Sequence, residues 1–245
     1  AGELELNTSE RFSFMLFRMV FAARCAFCFR VNGLGLVNSS SMLATARPSS
    51  LSCFSASSSK IRKKILEESR LDFKVISPFF DEEKGKKSLK HLSIKQLAMS
   101  LASLKALSVS EKFPNAYVIG SDQICEFEEK AISKSNNFDQ AVSQLKKFNG
   151  KIHYQNNATV IAHKNKIIFK NFCRAKMQMR KITQKEIETY VKNEQSWGCA
   201  GSYQYESLGK HLFSKVDGDY YSILGLSIQP VLSFLHEKKL IKFKI

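Results

Sequence analysis

The stretch "VIGSDQICEFEEK" (118–130) runs three apolar residues into Gly120 and then presents Ser121, Asp122 and Gln123 without a gap. Gly, Ser and Asp suit a turn. A carboxylate at the carboxyl end of a buried strand also suits a catalytic edge, because α/β proteins bind ligands there. Earlier, "SASSSKIRKK" (55–64) sets Ser57, Ser58 and Ser59 ahead of a helix that carries Arg62 and Lys63 in its first turn. Unpaired helix N–H groups, hydroxyls and cations together favour phosphate, although a serine-rich linker into a basic helix has the same composition. It is not a Walker A loop, since no G-x-x-x-x-G-K occurs in the chain.

Three further places bear on chemistry. "SPFFDEE" (77–83) ends in Asp81, Glu82 and Glu83. Acids at a strand end can hold Mg²⁺, which takes one or two carboxylates plus substrate phosphates; a solvated turn reads the same way. Lys105 lies in a stripe of Leu and Ala, where a lysine either snorkels to solvent or points its cation into a cleft. "CAGSYQYESLGK" (199–210) combines two tyrosines with Glu206. Aromatics and a carboxylate can hold a purine by stacking and by accepting from two adjacent N–H groups, and an ordinary tyrosine-bearing loop is the plain alternative.

The periodicity supplies elements to place these residues. Helical spacing covers 59–69, with Ser59 as cap and Ile61, Ile65 and Leu66 on one face. It recurs over 93–113, with Ile94, Leu97, Ala98, Leu101, Leu104 and Leu107, and over 138–148. The segment 183–193 adds a capping box from Thr183 and Glu186, and a last helix begins near Ser227. Strand-like runs are 72–77, a short "AYVIG" (116–120), 151–162 after the Asn149-Gly150 turn, and the alternating 167–179. "VDGDYYSILGLSI" reads as a tight turn and an apolar run. Alternating strands and helices predict an α/β fold with a mixed, twisted sheet and flanking helices.

At 245 residues the chain can bury a large core, and its 44% hydrophobic and 24% charged content is that of a globular protein. The net charge of +16 suits a polyanionic partner, although a lysine-rich proteome gives the same excess. Cys25 and Cys28 form a lone C-x-x-C without the second ligand pair of a zinc site. Cys125, Cys173 and Cys199 sit in apolar contexts, so a reducing, cytoplasmic setting is the simpler expectation.

The first 59 residues contain no lysine, and 29 lysines follow; no acid occurs between Glu10 and Glu67. This Arg-, Ser- and Phe-rich segment has a transit-peptide profile, which would make the location organellar. Arg18, Arg24 and Arg30 break its apolar run, so no membrane span is expected. The opening "AGELELNTSE" fits neither a signal nor a transit peptide, and a fusion or mis-assigned start explains it equally. Residues 1–52 are therefore read as an appendage to a domain over 53–245.

In order, these segments resemble the Maf-type nucleoside triphosphate pyrophosphatases. The match is carried by Ala56-Ser57-Ser58-Ser59 with Arg62, by Asp81-Glu82, by Lys105, by Gly120-Ser121-Asp122, by Lys134 and by Ala200-Gly201-Ser202-Tyr203. "GSDQIC" and "CAGSYQYE" are similar to the subgroup acting on 7-methyl-GTP; members acting on dTTP and UTP show G-A-D-T and a glutamine in place of Glu206. The resemblance implies two lobes around a nucleotide cleft, and hydrolysis to nucleoside monophosphate and diphosphate. It implies a divalent cation, Mg²⁺ or Mn²⁺, at Glu82 and Asp122, with Asp122 preparing the water that attacks the α-phosphorus. Lys105 and Lys134 would act beside it, Ser57 and Arg62 would bind phosphate, and Gln123 and Glu206 the base.

The subgroup's S-P-W-R-R is Ser59-Lys60-Ile61-Arg62-Lys63 here, so Ile61 stands where an aromatic would stack on the base; Ser135 and Ser227 replace prolines, and Asn157 replaces a threonine. The alternatives in view are a dTTP/UTP or broad-specificity enzyme of the same type, a degenerate family member whose substitutions around Ile61 and Ser135 have abolished activity, and a non-catalytic basic protein that binds nucleic acid. No recognisable nucleic-acid motif supports the last. A homodimer is compatible with this reading.

Overall fold

The computed structural model describes residues 52–242; the transit-like stretch and the Cys25/Cys28 pair lie outside the described residues. Seven strands form one mixed sheet: β1 (Cys53–Ser55), β2 (Phe73–Val75), β3 (Tyr117–Phe127), β4 (Lys130–Ile132), β5 (Ile152–His163), β6 (Lys166–Met179) and β7 (Phe213–Asp217). The order is β2-β1-β3-β5-β6-β7, with β4 also on β3. The pairs β2·β1 and β1·β3 are parallel and the others antiparallel. Seven α-helices accompany it among the described residues: α1 (Lys60–Glu68), α2 (Glu82–Ser88), α3 (Ile94–Ser110), α4 (Phe138–Phe148), α5 (Gln184–Glu194), α6 (Tyr220–Ile223) and α7 (Ile228–Glu237). The expected mixed α/β fold is present. Among the described residues no helix is long and apolar enough to cross a membrane.

Strand side chains alternate between the two faces of a sheet, and here one parity holds across the central strands. Even-numbered Phe54, Val118, Ile124, Ala158, Val160 and Ala162 pack with Ala98, Leu101, Ala102, Ala106 and Val109 of α3. On the odd-numbered face, Cys53, Ile119 and Ile161 pack with α1 and α7. Further along that face, Cys125, Ala175, Met177 and Met179 pack with α4 and α5. Tyr205 touches both clusters of the odd face.

Several elements follow the sequence closely. The Thr183/Glu186 and Ser93/Gln96 capping boxes both form. Three expectations change. The strand begun at 116 does not end at Gly120 but continues through Phe127, because β5 pairs with it from Val118↔Ala162 to Glu126↔Tyr154. The acidic turn at 81–83 is a helix start, with the Asp81 side chain capping Lys84 N at 3.0 Å and Glu82 and Glu83 in the first turn of α2, where carboxylates suit the helix dipole. Ser59 occupies the N-cap of α1 but makes no side-chain cap bond; Ser57 Oγ instead accepts from Ser59 N at 3.2 Å.

Candidate functional site

The edge of β3 opposite β5 is divided. Parallel β1 pairs with residues 117–119, and antiparallel β4 pairs with residues 125–127. Between them, 120–124 has no strand neighbour on that edge among the described residues. The polar run Gly-Ser-Asp-Gln fills this gap, so the central strand opens its backbone and side chains here. The setting resembles the switch points where α/β sheets hold ligands.

Alternation then splits the run. Asp122 turns to the α3 face, and Ser121 and Gln123 turn to the other. Gly120 sets the spacing: a Cβ there would lie 2.5 Å from the Ala102 carbonyl oxygen and 2.8 Å from Ala106 Cβ. Only glycine lets α3 lie this close to the strand. Lys105 falls within the buried stripe of α3 that includes Leu101, Ala102 and Val109, so its ammonium is delivered to the sheet rather than to solvent. Lys105 Nζ lies 2.6 Å from Asp122 Oδ1 and 2.8 Å from Glu82 Oε2. The two carboxylate oxygens are thereby held within 5.4 Å of each other. Asp122 and Lys105 are nearly inaccessible, at 5% and 9% side-chain exposure, whereas Glu82 is at 36%.

Charge at this corner is dense. Burial acts to raise the Glu82 pKa, but Lys105 and Lys86 override it and hold the group down to about 2. Lys86, one turn along α2, reaches Glu82 Oε1 at 2.7 Å. Burial would lower its pKa, yet the contact with Glu82 and the fields of Asp122 and Glu83 raise it.

Arg62 closes the site from α1. Its Nη1 donates to the Ser121 carbonyl at 3.0 Å and to Ser57 Oγ at 3.3 Å, and its Nε donates to the Gly225 carbonyl at 2.7 Å. The guanidinium thus occupies the gap in the β3 edge. Desolvation lowers its pKa, with Asp122 and Glu82 opposing, and a guanidinium remains charged under these conditions. Gly225, at φ +100°, sits where an added Cβ would come within 2.9 Å of Gln123 Oε1 and 3.1 Å of Arg62 Nε. Gln123 Nε2 donates to the Ile223 carbonyl at 2.6 Å, so Arg62 and Gln123 flank the same turn.

Beneath the strand lies a buried polar hub. Asn157 Nδ2 donates to Ser121 Oγ at 3.0 Å and to the Asp122 carbonyl at 3.2 Å. Its Oδ1 accepts from Ser227 Oγ at 2.9 Å, from Ser227 N at 3.3 Å and from Thr159 Oγ1 at 3.0 Å. Ser121 Oγ in turn donates to the Gly225 carbonyl at 2.7 Å. Two departures from the resembled pattern therefore meet: Asn157 takes a hydrogen bond from a backbone N–H that a proline at 227 would lack.

The remaining candidates stand apart from this corner. Ile61 is half-buried against the cluster containing Leu226, Val231 and Leu235. Lys134 is exposed on the loop after β4, beside a cavity of ≈ 510 Å³ lined also by Ser143, Gln144 and Lys147. Glu206 is half-buried and makes no hydrogen bond or ion pair among the described residues. Lys134 and Glu206 both act on Cys199: burial first and then Glu206 raise its thiol pKa, and Lys134 opposes them. The loop carrying Glu206 is anchored by Tyr203, whose hydroxyl meets His153 Nε2 at 2.9 Å and Gln155 Nε2 at 2.8 Å. Ser202, at φ +60°, bonds Ser135 Oγ at 2.7 Å and also Gln144 Oε1. Lys86, Gly225 and the Asn157 hub were not marked as site residues by sequence. A signal for Lys86 existed, since Glu82 and Lys86 are four apart on one helix face.

A divalent cation fits the corner in one respect that the structure supplies. Asp122 Oδ2 is buried and has no hydrogen-bond partner among the described residues. Among the described residues there is no group of three or more His, Cys, Asp or Glu suited to a metal. Two converging carboxylates match an ion of the Mg²⁺ kind, which completes its shell with water and phosphate, better than a closed protein site.

A family profile described as "Maf-like protein" matches residues 54–238. Three similar proteins, each named nucleoside triphosphate pyrophosphatase, come from different bacteria. The Legionella pneumophila protein is 36% identical over 186 residues, covering 76% of this chain and 93% of its own. The Bradyrhizobium diazoefficiens protein is 36% identical over 188 residues, with the same coverage. The Hyphomonas neptunium protein is 35% identical over 196 residues, covering 78% and 98%. The chain belongs to the Maf-like family.

Proposed function

We propose that this member of the Maf-like family is a nucleoside triphosphate pyrophosphatase, with 7-methyl-GTP or a closely related modified nucleotide as substrate. Water attacks the α-phosphorus, the α–β anhydride bond breaks, and the products are nucleoside monophosphate and diphosphate. The observation that carries the reading is the asymmetry of Asp122. Its Oδ1 is fixed by Lys105 at 2.6 Å, while its buried Oδ2 has no hydrogen-bond partner among the described residues. A buried carboxylate oxygen without a partner is costly, and its natural complement is a water or cation arriving with substrate.

Asp122 Oδ2 orients the attacking water and takes its proton. Glu82 and Asp122 would hold Mg²⁺ or Mn²⁺, whose chemistry there is to neutralise phosphate oxygens. Arg62, Ser57 and the uncapped first turn of α1 receive phosphate at the strand gap. Lys105 steadies both carboxylates, and Lys134 meets developing charge from the loop side. Gln123 and Glu206 face the base, where a carboxylate suits the adjacent N1–H and N2–H₂ donors of guanine. Ile61 replaces the stacking aromatic, so a cation–π contribution of about 0.5–2 kcal/mol to a methylated base is absent from that position. Residues 53–245 form the catalytic domain, and 1–52 are an appendage to it.

Pyrophosphate release with Mg²⁺ from 7-methyl-GTP, GTP, dTTP, UTP and CTP tests the proposal. Preference for 7-methyl-GTP supports the full reading. Preference for dTTP or UTP keeps the reaction and removes the assignment of Gln123 and Glu206.

A further inference from the structure

Glu82 has two ammonium partners where one would neutralise it. Lys105, buried and shared with Asp122, takes Oε2 at 2.8 Å. Lys86 takes Oε1 at 2.7 Å, and its Nζ also lies 3.6 Å from Glu83 Oε1. Both Glu82 oxygens are thus occupied by protein cations, whereas Asp122 keeps one oxygen without a partner among the described residues. The two lysines differ in setting. Lys105 is enclosed at 9% side-chain exposure, and Lys86 stands at the mouth at 36%. The helix under Lys86 is held in place: a Cβ on Gly85 would be 2.6 Å from Phe80 Cε2, so α2 is seated closely on that ring.

We propose that Lys86 is a positioning residue that acts as an exchangeable counter-ion. It holds Glu82 while no divalent cation is bound and withdraws from Oε1 when that carboxylate ligates one. The proposal rests on the reading of Glu82 as a ligand. An ammonium and a divalent ion cannot share the same oxygen lone pairs at short range, and the two like charges repel. Of the two lysines, Lys86 is the one able to leave, because it is half-exposed on a flexible four-carbon stem and its release uncovers no buried charge. Once withdrawn, its ammonium lies at the mouth of the site, beside the phosphates of an entering nucleotide.

Competition of this kind has a signature opposite to that of a structural role. If Lys86 merely supports Glu82, removing it loosens the carboxylate and weakens cation binding. If Lys86 competes for Glu82, removing it tightens cation binding. The test is Mn²⁺ titration of the full chain without nucleotide, read by electron paramagnetic resonance of free Mn²⁺, for wild type, Lys86→Met, Lys86→Arg and Glu82→Gln. Lys86→Met is expected to bind Mn²⁺ about threefold to fivefold more tightly, the range set by a half-exposed ion pair. Lys86→Arg is expected to match wild type, and Glu82→Gln to bind more weakly than either. Unchanged, weaker or undetectable Mn²⁺ binding in Lys86→Met, with its circular dichroism spectrum intact, overturns the proposal. Pyrophosphate release by wild type is assayed separately, so failure of the enzymatic reading shows there and not in the Mn²⁺ shift.

Discussion

Lys105 and Asp122 form a buried ion pair, Nζ to Oδ1 2.6 Å, that spans from α3 to the stretch of β3 whose one strand neighbour among the described residues is β5. Neither charge can turn to water when its partner is lost. Lys105→Met should therefore lower unfolding stability by about 3 kcal/mol. Lys105→Met combined with Asp122→Asn should recover part of that loss. Urea unfolding of the single and double variants measures both, and strictly additive losses would mean that the pair is not coupled.

Asn157 and Ser227 should behave as a coupled pair for a different reason. Ser227 has φ −71°, which proline accepts without strain, so Ser227→Pro removes hydrogen bonds rather than distorting the chain. Asn157→Thr and Ser227→Pro should each cost about 1–3 kcal/mol, because each leaves a buried polar group unpaired. The double variant should cost less than the sum by about 0.5 kcal/mol or more. A full double-mutant cycle by chemical denaturation checks this.

Glu82 gives a pH dependence with a defined sign. Its folded-state pKa of about 2 lies below the ordinary 4.5. The stability gained from its ion pairs is therefore complete above about pH 4.5 and is lost as the pH falls towards 2. Wild type should exceed Glu82→Gln in stability by a constant margin near neutrality. That margin should shrink on acidification below about pH 4.5. A margin that grows in acid would contradict the ion-pair assignment.

Glu206 carries the base assignment on the loop side. It is half-buried and has no hydrogen-bond partner among the described residues, so its carboxylate remains available. Glu206→Gln should reduce kcat/KM for a guanine-type substrate about tenfold relative to UTP, the scale of one charge-assisted hydrogen bond. An unchanged ratio would place base recognition elsewhere.

Part of the geometry of this candidate site could be read before the fold was known, and the parts that could not share a cause. Lys105 stood out because a lysine in an apolar helical stripe either snorkels to solvent or turns its cation into a cleft, and the fold shows the second, 2.6 Å from Asp122 Oδ1. Asp122 was legible as a carboxylate delivered by a buried strand. The continuation of β3 past Gly120 was not, because Ser121, Asp122 and Gln123 have the composition of a turn; their strand geometry comes from pairing with β5, far along the chain. The helix α2 was hidden by its shortness, its lack of any buried residue and an internal glycine. Asn157 looked only like a missing threonine until Ser227 was found beside it at 2.9 Å. Lys86 was one lysine among 29; its i,i+4 spacing to Glu82 was a signal, but Lys63 and Lys64 form the same kind of pair with Glu67 and Glu68, and only the fold shows that Lys86 shares its carboxylate with the buried Lys105.

The most direct measurement is pyrophosphate release by wild type and Asp122→Asn with Mg²⁺ across 7-methyl-GTP, GTP, dTTP, UTP and CTP. Release is expected to be fastest with 7-methyl-GTP and to fall at least about 100-fold in Asp122→Asn, with the variant still folded. Release that survives the substitution would contradict the role given to Asp122, and no release from any nucleotide by wild type would contradict the enzymatic reading itself.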